Sequence, residues 1–144
     1  MTFTDAELAY LRSQPLGRLA TVDGKGMPQV NPVGFRVMDD GTVVISGWSM
    51  ASTRKYRNVA RTARAALVVD DVASRDPWVV RGIEIRGRAE AVALDEPAIP
   101  GTTNDVIRVH PDTVFSWGVE PGVTGMVRRG TTTDDKPQGD LAAR

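Results

Sequence analysis

This chain of 144 residues has no cysteine, a single histidine and no net charge. Without cysteine there is no disulfide, no thiolate metal site and no thiol nucleophile. His110 alone cannot form a histidine-rich metal centre, so no metal site is expected. Eighteen basic residues are balanced by eighteen acidic ones, which argues against bulk electrostatic capture of nucleic acid or of a membrane surface. No apolar run approaches the roughly 20 residues that a membrane-spanning helix needs. The N-terminal stretch MTFTDAELAYLRSQ is acidic and amphipathic rather than basic and then apolar, so no secretory signal is read there and the cytoplasm is the expected compartment. Most hydrolytic chemistries lose their usual equipment through these absences.

What is present reads as one domain over residues 1–130 and a polar tail over 131–144 that lacks the apolar side chains to repay ordering. Thr4-Asp5-Ala6-Glu7 has the form of a capping box, opening a short helix that ends before Pro15. Leu16–Val22 is a strand, Asp23-Gly24-Lys25-Gly26 a hairpin turn, and Met27–Met38 the next strand. Pro28 and Pro32 fall inside that strand and cannot donate to a ladder, so it should be an edge, be bulged, or face a ligand near residue 32. Thr42–Gly47 is a third strand. Ala65–Val69 reads as a central strand ended by Asp70 and Asp71. Trp78–Leu94 is a long strand with bends at Gly82 and Gly87, and its Glu84, Arg86, Arg88 and Glu90 read as a cross-strand ion ladder on a solvated face. Asn104–Val109 reads as a helical turn and Thr113–Val119 as the last strand. The expected architecture is therefore mainly β: a small barrel of six or so antiparallel strands with a few helices.

The most unusual segment is Ser46–Val69. It carries Arg54, Lys55, Arg57, Arg61 and Arg64, and no acid occurs between Asp40 and Asp70. A helix is expected over about Ala51–Ala63, with Tyr56, Val59, Ala60 and Ala63 on the buried face and the arginines nearly opposite. Arg54 and Lys55 fall in its first turn, where the macrodipole is positive and like charge is unfavourable unless an anion binds. Ser49, Ser52 and Thr53 converge on the same spot, and Arg36 at the end of the proline-bearing strand could reach it. Arg57, Arg61 and Arg64 read as a solvated stripe. Without interleaved aromatics the stripe is a poor nucleic-acid module. Trp48, Trp78 and Trp117 are expected in a core or a subunit interface, and His110 in a hydrogen bond to backbone.

The ordered blocks LGRLATV (16–22), GMPQVNPV (26–33), VVISG (43–47), TRKYRNVAR (53–61), AALVVD (65–70) and IRGRAE (85–90) resemble the pyridoxamine 5′-phosphate oxidase-like split-barrel superfamily, in its actinobacterial class that uses the deazaflavin coenzyme F420. The resemblance covers about residues 5–120. It implies a split β-barrel of the FMN-binding type and a homodimer with the cofactor at the subunit interface. It also implies hydride transfer from reduced deazaflavin to an unsaturated small molecule. The cofactor phosphate would be held around Thr53, Arg54 and Lys55, with Asn58 one helical turn on. The ring would rest on Asn31, Pro32 and Val33 and on Ser46, Gly47 and Trp48. Asn31 stands where flavin-oxidase members carry a phosphate-binding arginine, and their C-terminal substrate motif is absent. That departure disfavours pyridoxamine phosphate oxidation and leaves FMN as the alternative cofactor. A non-catalytic barrel binding flavin, haem or a related tetrapyrrole is the alternative function.

Overall fold

A computed structural model describes residues 2–131. Helix α1 (Asp5–Ser13) starts on the capping box read from the sequence: the Glu7 amide donates to the Thr4 hydroxyl, and the Thr4 amide donates back to the Glu7 carboxylate. Strands β1 (Gly17–Val22), β2 (Pro28–Val37) and β3 (Val43–Ser46) follow as hairpins. A single 3-10 turn, Met50–Ser52, leads into α2 (Arg54–Thr62). Then come β4 (Arg64–Arg75), β5 (Trp78–Ala93), β6 (Asp105–Trp117) and β7 (Met126–Gly130).

All pairings are antiparallel, in the order β3-β2-β1-β4-β5-β6-β7, and a further β3–β6 pairing closes six strands into a barrel. Closure pairs most of the sheet edges that would otherwise template aggregation. Inward-facing residues alternate along each strand: Leu19, Val43, Ile45, Leu67, Val69, Ile83, Ile85, Ile107 and Val109 are all at most 2% exposed. Full burial of each such side chain is worth about 1.5–3 kcal/mol. Phe3, Tyr10 and Leu11 join this core from the N-terminal segment, and Val59 and Tyr56 join it from α2. A second, smaller cluster of Val44, Ala98 and Val106 forms where the loop after β5 folds over the outside of β3 and β6.

Several sequence expectations are corrected. Asn104–Val109 is not a helical turn. It begins β6, because Ile107 and Val109 fill the barrel while Val106 fills the outer cluster. Asp70 and Asp71 lie within β4 rather than ending it, neutralised by Arg18 at 2.8 Å and by a two-pronged contact from Arg81. A seventh strand, β7, was hidden because MVRRG is short and doubly charged. Its Arg129 answers the buried Glu7. The ion ladder on β5 joins residues two apart on the same strand, Arg86 to Glu84 and Arg88 to Glu90. Trp48 and Trp78 are 84% and 67% exposed, so neither is a core residue of one chain. His110 pairs with the Glu90 carboxylate at 2.5 Å rather than with backbone. Thr131, assigned to the tail, donates its amide to the Asp112 carbonyl, and residues 132–144 lie outside the described residues.

Candidate cofactor site

The proline-bearing strand is where the barrel opens. Residues 28–33 of β2 pair with β1 only, whereas β3 joins the opposite edge from Gly34↔Ser46 onward. One edge of β2 over 28–33 therefore has no strand beside it. An edge is where Pro28 and Pro32 can sit without removing a ladder hydrogen bond. Beyond Ser46 the chain leaves the sheet through Gly47, Trp48 and Ser49, turns once, and enters α2. Val33 points into the core at 5% exposure, Pro32 is exposed, and Asn31 is half-buried.

Helix α2 begins at Arg54, not Ala51, because Thr53 is its cap: the Thr53 hydroxyl accepts the Tyr56 amide at 3.3 Å and donates to the Met50 carbonyl at 2.7 Å. The Arg57 amide goes to the Thr53 carbonyl. The amides of Arg54 and Lys55 remain uncommitted in the first turn, among the described residues. Nor does the Lys55 or Arg54 side chain form an ion pair there. Tyr56 and Val59 lie on the inward face of α2 as expected, but Ala60 and Ala63 do not. Ala60 and Ala63 are exposed, and Ala63 is the left-handed C-cap that turns the chain into β4. The inward face also takes in half-buried Lys55, buried Asn58 and half-buried Thr62.

Asn58 connects this helix to both hairpin strands. Its amide nitrogen donates to the Thr21 hydroxyl at 3.1 Å and to Gln29 Oε1 at 3.2 Å, and Gln29 Nε2 donates to Asn31 Oδ1 at 2.7 Å. The network ties the helix that carries Lys55 to the strand that carries Asn31-Pro32-Val33. Sequence reading missed Gln29 and Thr21. The signal was a polar residue at alternate positions with Asn31 on the strand's inward face.

The remaining expected residues divide. The Ser46 hydroxyl is buried and has no hydrogen-bond partner. The Gly47 carbonyl is taken by the Thr103 amide at 3.0 Å and the Thr103 hydroxyl at 3.2 Å, so the loop after β5 is stapled to the segment that precedes Trp48. Ser52 is committed locally to the Ser49 carbonyl. Arg36 donates to the Ala98 carbonyl at 2.9 Å and so anchors the same loop. The basic stripe also divides: Arg57 donates to the Ser52 carbonyl, and Arg61 lies over the turn at Gly24. Asp23 in that turn is held below the usual carboxylate range mainly by the Met27 and Lys25 amides, with smaller contributions from Arg54 and Arg61.

Lys55 with two free helix amides is a donor set of the kind that holds an anion, and the buried Ser46 hydroxyl and the β2 edge over 28–33 are further groups left unpaired. The set is unsuited to a metal. Among the described residues no three His, Asp or Glu side chains are grouped to hold one. An apolar cleft of about 390 Å³ opens nearby on the outer face, lined by Ala20, Val22, Pro28, Ala66 and the arginines 64 and 86. Beside it Val22, Met27 and Val30 are 41%, 66% and 64% exposed. Among the described residues no helix is long and apolar enough to cross a membrane.

Comparison with known proteins identifies the family and the fold. Residues 3–118 match the sequence pattern of the family described as pyridoxamine 5′-phosphate oxidase. The chain is 44% identical over 138 residues to a 5a,11a-dehydrotetracycline/5a,11a-dehydrooxytetracycline reductase of Streptomyces rimosus, covering 94% of this chain and 97% of that protein. A pyridoxamine 5′-phosphate oxidase-related, FMN-binding protein of Nostoc punctiforme superposes with a TM-score of 0.64 at 11% identity, over 96% of this chain and 100% of that one. A heme-binding protein of Mycobacterium smegmatis superposes with a TM-score of 0.65 at 20% identity, over 91% of this chain and 60% of that one. At such identities these two structures speak for the fold alone.

Proposed function

The chain belongs to the pyridoxamine 5′-phosphate oxidase family, and from that premise we propose that it is a cytoplasmic reductase that uses a deazaflavin of the F420 type to saturate a conjugated double bond in a small molecule. The observation that carries this reading is the end-to-end likeness to a dehydrotetracycline reductase, which makes a conjugated, oxygen-rich polycycle the first substrate class to test. Reduced deazaflavin supplies the hydride when bound. The chain supplies position and electrostatics. The Lys55 ammonium would offset the charge of the cofactor phosphate, the Arg54 and Lys55 amides would donate hydrogen bonds to it, and the open edge of β2 at Asn31, Pro32 and Val33 would support the ring. Trp48 offers a flat apolar surface to a conjugated substrate. Its exposure leaves it free to do so. A water or a weak donor completes the protonation in this reading.

The protein acts as a homodimer in this reading. Val22, Met27 and Val30 are exposed apolar side chains beside the outer cleft, and exposed patches of this kind mark association sites. Sedimentation at micromolar concentration is expected to give twice 15.6 kDa, and a monomer would remove the shared site. The functional test is turnover: purified protein, reduced F420 and a dehydrotetracycline-type substrate, with cofactor oxidation followed by fluorescence. Oxidation that depends on both substrate and protein supports the proposal. A tightly held yellow flavin or a haem band in the isolated protein, with no F420 oxidation, would refute it.

A further inference from the structure

Residues 94–104, between β5 and β6, form a loop with its own internal bonds. Its base is pinned where the Leu94 amide donates to the Asn104 carbonyl at 2.8 Å. Its tip is a turn in which the amide and the hydroxyl of Thr102 both donate to the Ile99 carbonyl. Polar contacts fasten the loop to the strands beneath it. Arg36 donates to the Ala98 carbonyl at 2.9 Å, and Thr103 donates its amide and its hydroxyl to the Gly47 carbonyl at 3.0 and 3.2 Å. These bonds have one possible direction, because a carbonyl oxygen only accepts.

The loop lies over the segment expected to meet the cofactor ring. Val43 and Ile45 fill the barrel, so Val44 and Ser46 face outward, yet both are buried. Val44 packs with Ala98. Ser46 is paired across the ladder with Gly34, and a Cβ on Gly34 would lie 3.7 Å from Ile99 Cδ1. Apolar atoms of the loop therefore cover the outer side of β2 and β3 where Ser46 stands. Ser46 is 7% exposed, and its hydroxyl has no hydrogen-bond partner there. A hydroxyl buried unpaired forfeits its hydration, which makes the covered arrangement costly. The Gly47 carbonyl is the reverse case: it has partners, and the loop supplies them. In this arrangement both groups are out of reach of a ligand.

We propose that the 94–104 loop is a strap that closes the Ser46–Gly47 end of the cofactor groove, and that the cofactor displaces it. The Ser46 hydroxyl then donates to an acceptor on the cofactor ring, and Thr103 releases Gly47. The inference rests on the deazaflavin reading of the groove and adds to it a self-covering contact. A strap that is mostly closed lowers apparent affinity in proportion to the small fraction of molecules that are open. Loosening it tightens binding, whereas loss of a supporting or contacting residue weakens binding.

Thr103→Val removes the hydroxyl contact and keeps the amide one, and Thr103→Ser keeps both. Fluorescence titration is expected to show F420 bound about threefold or more tightly by Thr103→Val than by the wild type, with Thr103→Ser unchanged. Ser46→Ala removes the unpaired hydroxyl, so its melting temperature should rise while its F420 affinity falls about tenfold. The closed state has lost its penalty and the open state its bond. The second readout is hydrogen exchange at the Thr103 amide of the unaltered protein, which decides the point even if a variant fails to fold. Saturating F420 should speed that exchange about tenfold or more while the β5–β6 ladder stays protected. Weaker or unchanged binding by Thr103→Val, or wild-type affinity in Ser46→Ala, would overturn the proposal. F420 binding with the Thr103 amide still protected would overturn the strap and leave the cofactor reading standing. No F420 binding by either the wild type or Thr103→Val would overturn the cofactor reading, and this proposal with it.

Discussion

Lys55 and Arg61 lie six residues apart on one helix, carry the same charge, and should differ sharply when removed. Lys55 is half-buried in the first turn of α2, on the face that also carries Asn58 and beside the uncommitted amides of Arg54 and Lys55. Arg61 is exposed in the last turn, and its guanidinium packs against the Gly24 turn closely enough that a Cβ there would meet it at 2.2 Å. A charge-assisted contact from an ammonium to phosphate contributes about 1.5–3 kcal/mol. Lys55→Ala is therefore expected to weaken F420 binding by about tenfold to a hundredfold, at 1.36 kcal/mol per decade. Arg61→Ala acts across the length of the helix, through a field screened over about 8–10 Å at ordinary salt, and should change affinity by less than about threefold. Fluorescence titration at two ionic strengths separates the two cases, because only a diffuse field collapses with added salt. Equal losses for Lys55→Ala and Arg61→Ala, both abolished by salt, would refute the argument for a localised phosphate contact.

Other outcomes follow from the packing. Glu7 is 3% exposed and its pKa is raised, by burial first, with Arg129 pulling it back down. A carboxyl whose folded pKa exceeds its unfolded one binds more protons when folded, so it costs stability above that window and ceases to do so as pH falls through it. The stability difference between wild type and Glu7→Gln should therefore shrink as pH is lowered from 7 toward the ordinary carboxylate range in urea melts. A constant difference would contradict this. Arg129→Ala leaves Glu7 buried without its counter-charge and should cost about 3 kcal/mol, largely restored by adding Glu7→Gln. Gly87 sits at the bulge in β5 facing β6, where a Cβ would lie 1.9 Å from the His110 carbonyl oxygen. Gly87→Ala should cost about 3 kcal/mol or more, measured by chemical denaturation, and a neutral result would mean that the bulge relaxes freely.

Much of this was legible in the chain, and the failures have physical causes. The Thr4–Glu7 capping box, the Asp23 turn and the two prolines each state their local geometry, because the responsible contacts lie within four residues. The free edge at Pro32 was readable for the same reason: proline excludes a central ladder position. Asn104–Val109 was misread because its apolar residues are covered on both sides, by the barrel and by Ala98, and a strand buried on both faces loses its alternation. The inward face of α2 was read correctly at Tyr56 and Val59 and misread at Ala60, Ala63 and Asn58, because alanine is indifferent to exposure and a buried asparagine is stabilised by partners 29 and 37 residues away. The role of Arg36 as an anchor for the Ala98 loop is likewise a contact between residues 62 apart, which no local pattern announces.

The account stands most directly on where the cofactor binds. Backbone hydrogen exchange of the protein, with and without saturating F420, measures that location without assuming an activity. New protection is expected at the Lys55 turn of α2, along 31–33 of β2 and at 46–48 after β3. The β4–β5 hairpin tip around Asp76 should exchange unchanged. Protection confined to the outer cleft at Ala66 and Arg86, with the first turn of α2 unaffected, would contradict the site assigned here.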